Sequence, residues 1–571
     1  MLIESKLITT TESVTTRSSL QEIKERVQNL RVGFFIPGSP FLADERVFPF
    51  ISGTKLGAVL IENGNTVDLV DLSGYSNPKE IVEDYVTNNS TDIFCLTATT
   101  PQIPNAIAIA QEIRHLKPDA KVILGGPHAT LTYGALQKDR EVGRQGRGTA
   151  DFVNLLSIFD VIVAGDGEKA IFKAIDLTNT DRVIEAQSRT SPFFIQRGEL
   201  ENFPHPARDL IDMDSYHYYI DGHRAFSLIA QLGCPFECGF CGGRDIDSGR
   251  VIRTRTMEDI ISEAEEVILA SFQRALESHD PKKALTAIMF YDDELNVSPK
   301  NLESLCKGLI GLQKKLAQEL SPELQKELGL EIEGVHGERR LAMRFRGFVK
   351  SELFTQEQAN LMYEAGFRVL LTGIESGSNK ILSAMRKHTS RQINSRCIEY
   401  AHNAGLKVKA LMSIGHPGES PETIAESVEW VLSNLKPGDD VDWAAITQYP
   451  GSPYYDRSIY VPRKKAWLYR TRVKNGTSGK KETLRLWSKS TDPAKDVLYY
   501  KGIPGQYVSY IWTDYLTSEQ IVEQRDKAEE ITRNHLKLPQ ITSIAEKQFE
   551  HSMGQGLPQS ILRNSKTIYQ S

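Results

Sequence analysis

The sequence predicts an α/β protein with an N-terminal doubly wound, flavodoxin-like parallel sheet, a partial (β/α)6 barrel and an α-rich C-terminal tail. Short apolar runs alternate with amphipathic stretches from residue 31 to about 176, and a second such series begins near residue 225. The regular pattern fades after residue 455. Apolar strands that alternate with helices favour parallel sheets. The expected boundaries are a flexible N-terminus (1–30), a Rossmann-like sheet domain (31–180), a linker (181–223), the barrel (224–455) and a closing region (456–571).

The first series contains five apolar runs of strand length. They are residues 32–36, 67–72, 92–97, 121–126 and 160–165. Between the third and fourth runs, residues 103–116 have apolar side chains at helical spacing. The polar stretch 135–159 predicts a surface loop or short helices. In a doubly wound sheet the ligand lies beyond the carboxyl ends of the strands, and glycine there allows the backbone to approach it closely.

The second series predicts six strands separated by helices. The strands are residues 226–232, 286–293, 341–347, 368–375, 408–415 and 442–448. Six such units make a barrel that is incomplete compared with the eight-unit form, and the active site is expected at the carboxyl ends of the strands. The long polar helical region 301–340 exceeds what the barrel needs and predicts a cover or partner surface.

The composition is that of an ordinary soluble protein. Of 571 residues, 40% are hydrophobic and 25% are charged, and the net charge is −6. This charge gives no general attraction to nucleic acid. No apolar run is long enough to span a bilayer, and the N-terminus resembles no export signal, so we expect a cytoplasmic protein. Six cysteines do not make a disulfide scaffold at this length.

Three of the cysteines form a CxxxCxxC loop directly after the first predicted barrel strand. They are Cys234, Cys238 and Cys241. Thiolates suit an iron–sulfur cluster or zinc, and three ligands leave one corner of a 4Fe–4S cluster open for a substrate. A structural zinc site would need a fourth ligand, and His217 and His223 are poorly spaced for that role. The loop therefore favours the cluster, with zinc as the alternative.

Further short motifs follow the cysteines, the first just before the first predicted barrel helix and the others at later strand ends. They are RTRT at 253–256, FYDDE at 290–294, GIESGS at 373–378, IGHPGE at 414–419 and TQYPGSP at 447–453. In this order they resemble the radical S-adenosylmethionine (radical SAM) superfamily, and in particular its cobalamin-binding branch. The GGPH and GDGE segments at 125–128 and 165–168 resemble the cobalamin-binding domain of that branch. The resemblance covers about residues 31 to 455.

The resemblance implies a 4Fe–4S cluster, S-adenosylmethionine and cobalamin as cofactors. The residues implied to contact S-adenosylmethionine are Phe240, Asp293, Glu294, Glu375, Ser376 and Gly415. Those implied to contact cobalamin are Pro37, Gly38, Thr97, Gly125, Gly126, Pro127, His128, Gly165, Gly167 and Glu168. The sequence lacks the DxHxxG motif that supplies a cobalt-binding histidine in some cobalamin proteins, so we expect no histidine on the lower face. No residue is predicted to act directly in catalysis.

The implied activity is generation of a 5′-deoxyadenosyl radical, followed by cobalamin-dependent methylation of an unactivated carbon in a small molecule or peptide. An electron donor such as flavodoxin or ferredoxin is the implied partner. Cyclisation or rearrangement, with or without cobalamin, is an alternative, and a non-catalytic zinc protein is another. A methylthiotransferase fits less well, because its N-terminal domain carries three further cysteines and the N-terminal half here has only Cys95.

Overall fold

The structure is a computed structural model of the chain. It describes residues 19–39, 46–47, 49–474, 481–491 and 508–538. Residues 1–18 of the predicted flexible N-terminus lie outside the described residues, as does much of the closing region. Residues 20–26 of that predicted flexible segment form a helix instead, capped by Ser19 and packed through Ile23.

The N-terminal sheet has six parallel strands in the described part of the chain, in the order β2-β1-β3-β4-β5-β6. They are β1 (Arg31–Ile36), β2 (Thr66–Asp71), β3 (Ile93–Thr97), β4 (Lys121–Gly125), β5 (Val161–Gly165) and β6 (Val183–Ala186). The five predicted strands and the flavodoxin-like order are confirmed. Strand β6 was not predicted, because its four residues lie in the expected linker and include a charged one.

Helices cover both faces of this sheet. They are Leu20–Arg26, Ile51–Glu62, Pro78–Asn88, Ile103–Leu116, Pro127–Glu141, Arg147–Ile158 and Gly167–Ile175. The helix predicted over 103–116 has the bounds expected from its apolar spacing. The stretch 135–159 holds the end of one helix and the whole of the next, which buries Phe152, Leu155 and Leu156. Of the two structures predicted for that stretch, a surface loop or short helices, the helices are confirmed.

The second sheet is a half-barrel of six parallel strands, with one short antiparallel strand at its edge, among the residues described. In chain order the seven are β7 (Tyr219–Ile220), β8 (His223–Leu228), β11 (Ala287–Phe290), β14 (Arg344–Phe348), β15 (Phe367–Glu375), β16 (Lys407–Ile414) and β17 (Asp440–Ala445). Neighbours in the sheet follow the order of the chain, and β7 and β17 are its two edges. The barrel is therefore open, as predicted.

Helices pack on the outside of the half-barrel around the largest apolar core. They are Met257–Glu277, Pro299–Glu319, Pro322–Glu327, Gln356–Ala365, Arg391–Asn403 and Pro421–Asn434. The helix Asn379–Ala384 packs instead against residues of the C-terminal region, and the short helix Asp247–Arg250 lies nearer the cysteines. Two small hairpins complete this part: β9 (Gln231–Leu232) with β10 (Arg253–Thr254), and β12 (Ile332–Val335) with β13 (Glu338–Leu341). Short 3-10 turns lie at Thr100–Gln102, Leu200–Asn202, Arg208–Leu210, Met213–Ser215, Pro281–Lys283, Ser351–Leu353 and Pro462–Lys464.

Where the structure describes it, the C-terminal region is mixed rather than α-rich as predicted. Its four described strands form an antiparallel sheet: β18 (Ile459–Val461), β19 (Ala466–Lys474), β20 (Lys481–Ser488) and β21 (Ile511–Thr513). The helix Pro453–Asp456 precedes this sheet and the helix Ser518–Leu536 follows it. Buried and exposed residues alternate along much of β19 and β20, as in strands with one face on a core.

None of the described helices is both long and apolar enough to cross a membrane.

Replacing Gly165 with alanine should destabilise the N-terminal sheet. Gly165 has φ +117°, and a Cβ there would lie 2.2 Å from the backbone carbon of Ala186. Positive φ alone costs about 1–2 kcal/mol, and the collision adds about 1–3 kcal/mol. Gly64→Ala is the control, because Gly64 has φ +84° and open space around it. In urea unfolding followed by circular dichroism, the midpoint concentration of G165A should be lower than that of G64A. Equal midpoints would contradict this geometry.

Candidate active site

A large apolar cavity lies between the carboxyl edge of the N-terminal sheet and the half-barrel. Its empty volume is about 1240 Å³, part of it open to solvent. Glycines at the ends of β4 and β5 and on the following turns form its floor: Gly125, Gly126, Gly165 and Gly167. Ile229, Leu232 and Arg255 reach it from the barrel side. The cavity is thus the place where the ligand edges of the two sheets meet.

Six of the ten residues predicted to contact cobalamin line this cavity: Thr97, Gly125, Gly126, Gly165, Gly167 and Glu168. The Thr97 hydroxyl is buried and has no hydrogen-bond partner among the described residues. The hydroxyl packs against the backbone of Gly126, and Thr97 lines the cavity. A buried hydroxyl without a partner is costly, so this position favours a ligand that accepts or donates a hydrogen bond.

The other four predicted cobalamin residues are not part of the described cavity wall. The Pro37 carbonyl accepts a hydrogen bond from Gln102, and the Gly38 carbonyl accepts one from Asn105. Pro127 starts the helix that follows β4, and His128 lies on the first turn of that helix.

His128 is turned into the protein. Its side chain is 1% exposed, and its Nδ1 lies 3.0 Å from the hydroxyl of Thr100. Burial lowers the pKa of His128 to about 3, so the ring is neutral. The prediction that His128 contacts cobalamin is therefore not supported by its placement, because the helix start rotates the side chain away from the cavity.

One buried ion pair and the contacts of one further arginine join the two halves of the site. Arg253, from the barrel side, pairs with Asp166 at the end of β5, and both side chains are less than a tenth exposed. Arg147, from the sheet domain, donates to Gln448 over 2.7 Å and stacks 3.7 Å from the Tyr455 ring centre. These contacts fix the sheet edge against the barrel mouth.

The linker is tied to the barrel by a second charged network beneath the cavity. His205 lies 2.8 Å from Glu266 and 3.0 Å from Asp259. Arg255 pairs with both Asp259 and Glu263. Since Arg255 and Glu263 also line the cavity, the network supports its wall.

The cysteine loop begins at a position that only glycine fits. Gly233 has φ +89°, and a Cβ there would lie 2.1 Å from the carbonyl oxygen of Val251. Arg244 closes the loop by donating to the Cys234 carbonyl over 2.7 Å. Gly242, directly after Cys241, packs against Leu131 of the sheet domain. The loop therefore lies at the barrel mouth and against the N-terminal half.

All three cysteines of the loop are free thiols, and Cys238 is buried. Burial raises the pKa of Cys241 to about 12 and also raises the pKa of Cys234, while Arg244 opposes both shifts. Across the residues that the structure describes, no group of three or more His, Cys, Asp or Glu side chains is already arranged to hold a metal ion. Cys95, Cys306 and Cys397 are buried elsewhere, as expected for small apolar side chains.

Three successive acids follow β11 and have three different surroundings. Asp292 accepts hydrogen bonds from the backbone amides of Ala230 and Gln231, and burial raises its pKa to about 7. Asp293 is exposed at the mouth; desolvation raises its pKa, and Arg244 opposes the rise. Glu294 keeps one buried carboxylate oxygen without a partner in the described structure, and burial raises its pKa to about 7. Asp293 and Glu294 can therefore face a ligand, whereas Asp292 supports the backbone.

Glu375 is the most constrained acid of the mouth. It ends β15 with φ +65°, a conformation that non-glycine residues rarely adopt and that often marks a functional site. Its Oε1 lies 3.3 Å from the ammonium of Lys387, and its Oε2 accepts a 2.6 Å hydrogen bond from Ser413. Burial lowers the pKa of Lys387, but Glu375 and other negative groups raise it by more, so Lys387 is a buried cation.

The remaining residues predicted to contact S-adenosylmethionine have other surroundings. Ser376 is buried behind Glu375, and its hydroxyl bonds Ser427 and the Ser378 amide. Gly415 has φ +101°, and Ile511 of the C-terminal sheet occupies the space of its missing side chain. Phe240 stacks edge-on against His416, with 5.3 Å between ring centres. Of these three, Phe240 lies on the cysteine loop itself, and Ser376 is better placed to hold the backbone after β15.

Sequence reasoning missed Lys387 and Arg244, two cations that lie beside Glu375 and the cysteine loop. Each stands in a segment rich in charged residues, where lysine and arginine are usually exposed. Only the fold brings them to Glu375 and the cysteine loop.

Comparisons with known proteins agree with this architecture. A sequence-family model of the B12 binding domain matches residues 55–171, and one of the Radical SAM superfamily matches residues 315–431, beyond the cysteine loop. An uncharacterized methyltransferase of Pyrococcus horikoshii is 24% identical over 64% of this chain and 69% of its own. The anaerobic magnesium-protoporphyrin IX monomethyl ester cyclase of Rubrivivax gelatinosus is 22% identical over 69% of this chain and 64% of its own.

Solved structures share the fold across most of the chain. The radical S-adenosylmethionine methyltransferase TsrM from Kitasatospora setae, solved with tryptophan substrate and a S-adenosylmethionine analog, has a TM-score of 0.56 at 15% identity. That match covers 92% of this chain and 95% of TsrM. The cobalamin-dependent radical enzyme OxsB, in its apo form, has a TM-score of 0.51 at 14% identity and covers 74% of this chain and 54% of its own.

The chain therefore contains a segment that matches the Radical SAM superfamily. A B12 binding domain precedes it, and this order of domains is that of the cobalamin-binding-domain radical SAM enzymes. This pair of domains implies a 4Fe–4S cluster, S-adenosylmethionine and cobalamin as its cofactors.

The His205 network should make stability depend on pH. The hydrogen bond to Asp259 raises the pKa of His205 above its ordinary 6.5 in the folded protein, and Glu266 adds to that rise. When the pKa of a histidine is higher in the folded than in the unfolded protein, its protonation stabilises the fold. This stabilisation is complete at pH values below the unfolded pKa and is lost as pH rises through the folded pKa. The melting temperature of the wild type should therefore exceed that of His205→Gln at pH 6, and the difference should shrink by pH 8.5.

His115→Gln is the matched control, because His115 is exposed on the helix Ile103–Leu116. A difference between the wild type and H205Q that stays constant across this range would mean that the network carries no titrating charge.

Proposed function

We propose that this chain is a radical SAM C-methyltransferase that uses cobalamin to methylate an unactivated carbon of a small molecule or peptide. The observation that carries the proposal is the juxtaposition of a CxxxCxxC loop at the barrel mouth with a cavity floored by the B12-binding sheet. An electron donor such as flavodoxin or ferredoxin and a cytoplasmic location belong to the same proposal.

The donor chemistry of the loop fits a cluster with one open corner. Cys234, Cys238 and Cys241 offer three soft ligands on a single loop, which suits iron–sulfur ligation. Gly239 keeps the loop close to the ring of Tyr454, where a Cβ would lie 2.4 Å from a ring carbon. The Arg244 guanidinium beside the loop would balance the negative charge of bound thiolates.

The residues above the loop fit the amino-acid end of S-adenosylmethionine. Lys387 offers a buried ammonium for its carboxylate, and Glu375 offers carboxylate oxygens for its ammonium. Glu294 adds a buried oxygen without a partner among the described residues. Charges already fixed in a desolvated site cost little reorganisation when the ligand binds.

The cavity fits cobalamin by its size, its glycine floor and its unpaired Thr97 hydroxyl. With His128 turned away, the lower face would meet small or apolar side chains such as Leu96 and Thr97. Cys234, Cys238 and Cys241 would hold a cluster that would supply the electron for cleavage of S-adenosylmethionine to methionine and a 5′-deoxyadenosyl radical, and the cavity would hold a cobalamin that would supply a methyl group. The chain's own part is to orient these groups and to exclude water through the apolar walls of the cavity.

A radical SAM cyclase or rearrangement enzyme, with or without cobalamin, is the second candidate. The relationship to the Rubrivivax gelatinosus cyclase favours it, while the relationships to the Pyrococcus horikoshii methyltransferase and to the cytidylyl-2-hydroxyethylphosphonate methyltransferase of Streptomyces wedmorensis favour methyl transfer. The latter relative is 22% identical over 70% of this chain and 74% of its own.

The cluster assignment predicts the metal content of cysteine variants. After anaerobic reconstitution, the wild type should hold about four irons and four sulfides per chain. Alanine at Cys234, Cys238 or Cys241 should remove most of both, because three ligands are the minimum for this cluster. Cys306→Ala is the control, since Cys306 is buried in the barrel core away from the loop. Zinc without iron or sulfide in the wild type would refute the proposal.

The cavity assignment predicts that Gly125→Leu blocks cobalamin. A Cβ at Gly125 would meet nothing nearer than Val163 at 4.0 Å, so the fold should tolerate the substitution while the side chain fills the cavity. Hydroxocobalamin retained after gel filtration, measured by absorbance, should fall at least tenfold in G125L, with iron content and melting temperature near those of the wild type. The smaller Gly125→Ala should retain cobalamin. Undiminished retention in G125L would place cobalamin elsewhere or exclude it.

A further inference from the structure

A chain of hydrogen bonds runs from Glu375 to the cysteine loop through a buried histidine. Ser413 donates to Glu375 Oε2 over 2.6 Å, and the same hydroxyl lies 2.7 Å from Nε2 of His416. The other ring nitrogen of His416, Nδ1, lies 3.2 Å from the hydroxyl of Tyr454. Tyr454 in turn donates its backbone amide to the carbonyl of Gly239, between Cys238 and Cys241. Four contacts thus connect a predicted ligand of S-adenosylmethionine to the predicted ligands of the cluster.

Only one placement of the hydrogen atoms on Ser413, His416 and Tyr454 satisfies all of these hydrogen bonds. The Ser413 hydroxyl has a single hydrogen, and Glu375, an acceptor beside the Lys387 ammonium, takes it. Ser413 must then accept from His416, so Nε2 carries the ring hydrogen. Burial, aided by the charge of Lys387, lowers the pKa of His416 to about 3, so the ring is neutral and Nδ1 is an acceptor. Tyr454 therefore donates to Nδ1, and all donors point toward Glu375.

At its His416 and Tyr454 end, the hydrogen-bonded series from Glu375 to Tyr454 is buried and tightly packed. His416 and Tyr454 are both 0% exposed. Phe240 of the cysteine loop lies edge-on against the His416 ring. Glu419 fixes the segment that carries His416 by accepting from the backbone amides of Gly415 and His416. The imidazole therefore has one orientation, and hydrogen bonds in such a network strengthen one another at low local dielectric.

Glu375 needs this support because its backbone is strained. With φ +65° the residue is held in a conformation worth about 1–3 kcal/mol of strain. One carboxylate oxygen is held by Lys387 and the other by Ser413. Loss of the Ser413 hydrogen bond would leave the carboxylate free to follow Lys387 alone and to turn away from the mouth.

We propose that His416 is a positioning residue that couples the cysteine loop to the Glu375 carboxylate and so orients that carboxylate toward S-adenosylmethionine. The inference rests on the proposed function, since it takes the mouth as the S-adenosylmethionine site. The imidazole touches neither the predicted cluster ligands nor Glu375 directly; it acts through Ser413 on one side and Tyr454 on the other.

Two substitutions separate this role from simple packing. His416→Gln keeps a donor near the position of Nε2 and so keeps the Ser413 hydrogen bond, but it removes the ring. His416→Phe keeps the ring contacts with Phe240 and Tyr454 but removes both polar atoms. If His416 positions Glu375, H416Q should bind S-adenosylmethionine within about threefold of the wild type, and H416F should bind at least tenfold more weakly. If His416 only packs, the order should be reversed.

The measurement is the dissociation constant of S-adenosylmethionine for the reconstituted full chain, read from the change that it causes in the electron paramagnetic resonance signal of the reduced cluster. Iron content and the melting temperature of each variant are measured alongside. His402→Gln is the matched control, because His402 pairs with Asp439 away from the mouth, and it should bind as the wild type does. If H416F does not fold, Tyr454→Phe replaces it; removing that one hydroxyl should weaken binding about threefold with an unchanged melting temperature.

H416F, or Tyr454→Phe in its place, binding as tightly as the wild type overturns the positioning role and leaves the proposed function standing. A wild-type signal that does not respond to S-adenosylmethionine overturns both. Weaker binding in H416F with near-normal binding in H416Q supports the positioning role.

Discussion

The buried ion pair between Arg253 and Asp166 is the contact on which the arrangement of the site depends. Asp166 follows the last residue of β5, and Arg253 lies on the hairpin strand that follows the cysteine loop. Arg253 also donates to the carbonyls of Ile195 and Ser248, and its guanidinium lies over the Phe194 ring. Burial raises the pKa of Asp166, and Arg253 offsets part of that cost. Neither charge is tolerable without the other in such a place, so the sheet edge and the barrel mouth are held face to face.

From that constraint follows a division of the site into two environments. The cavity on the sheet side has glycines and aliphatic side chains for walls, which suits a large cofactor that is mostly apolar at its faces. The barrel mouth instead concentrates charge: Lys387, Glu375, Glu294 and Arg244 lie around the cysteine loop. Charges fixed in this way recognise a zwitterionic ligand, and the apolar cavity beside them keeps water from the space between.

The sequence was informative where one side-chain type decides the local structure. Apolar runs located the N-terminal strands β1–β5, and the glycine pattern at the strand ends located the cavity floor. Prediction from the sequence failed where the structure of a segment depends on pairing or packing with another element. Strand β6 exists because β5 offers it an edge, and β19 and β20 are stabilised mainly by pairing with each other. Likewise, His128 is turned inward by the start of its helix, and Ser376 faces Ser427 from a distant helix. Lys387 is recognisable only after the fold has placed it beside Glu375.

The central claim is that the cysteine loop and the charged mouth above it act together on S-adenosylmethionine. The most direct measurement is the yield of 5′-deoxyadenosine when the reconstituted full chain is incubated with S-adenosylmethionine, with and without dithionite. The nucleoside should accumulate only with the reductant and only when Cys241 is intact. Recovery of unchanged S-adenosylmethionine from protein that carries a complete, reduced cluster would contradict this claim.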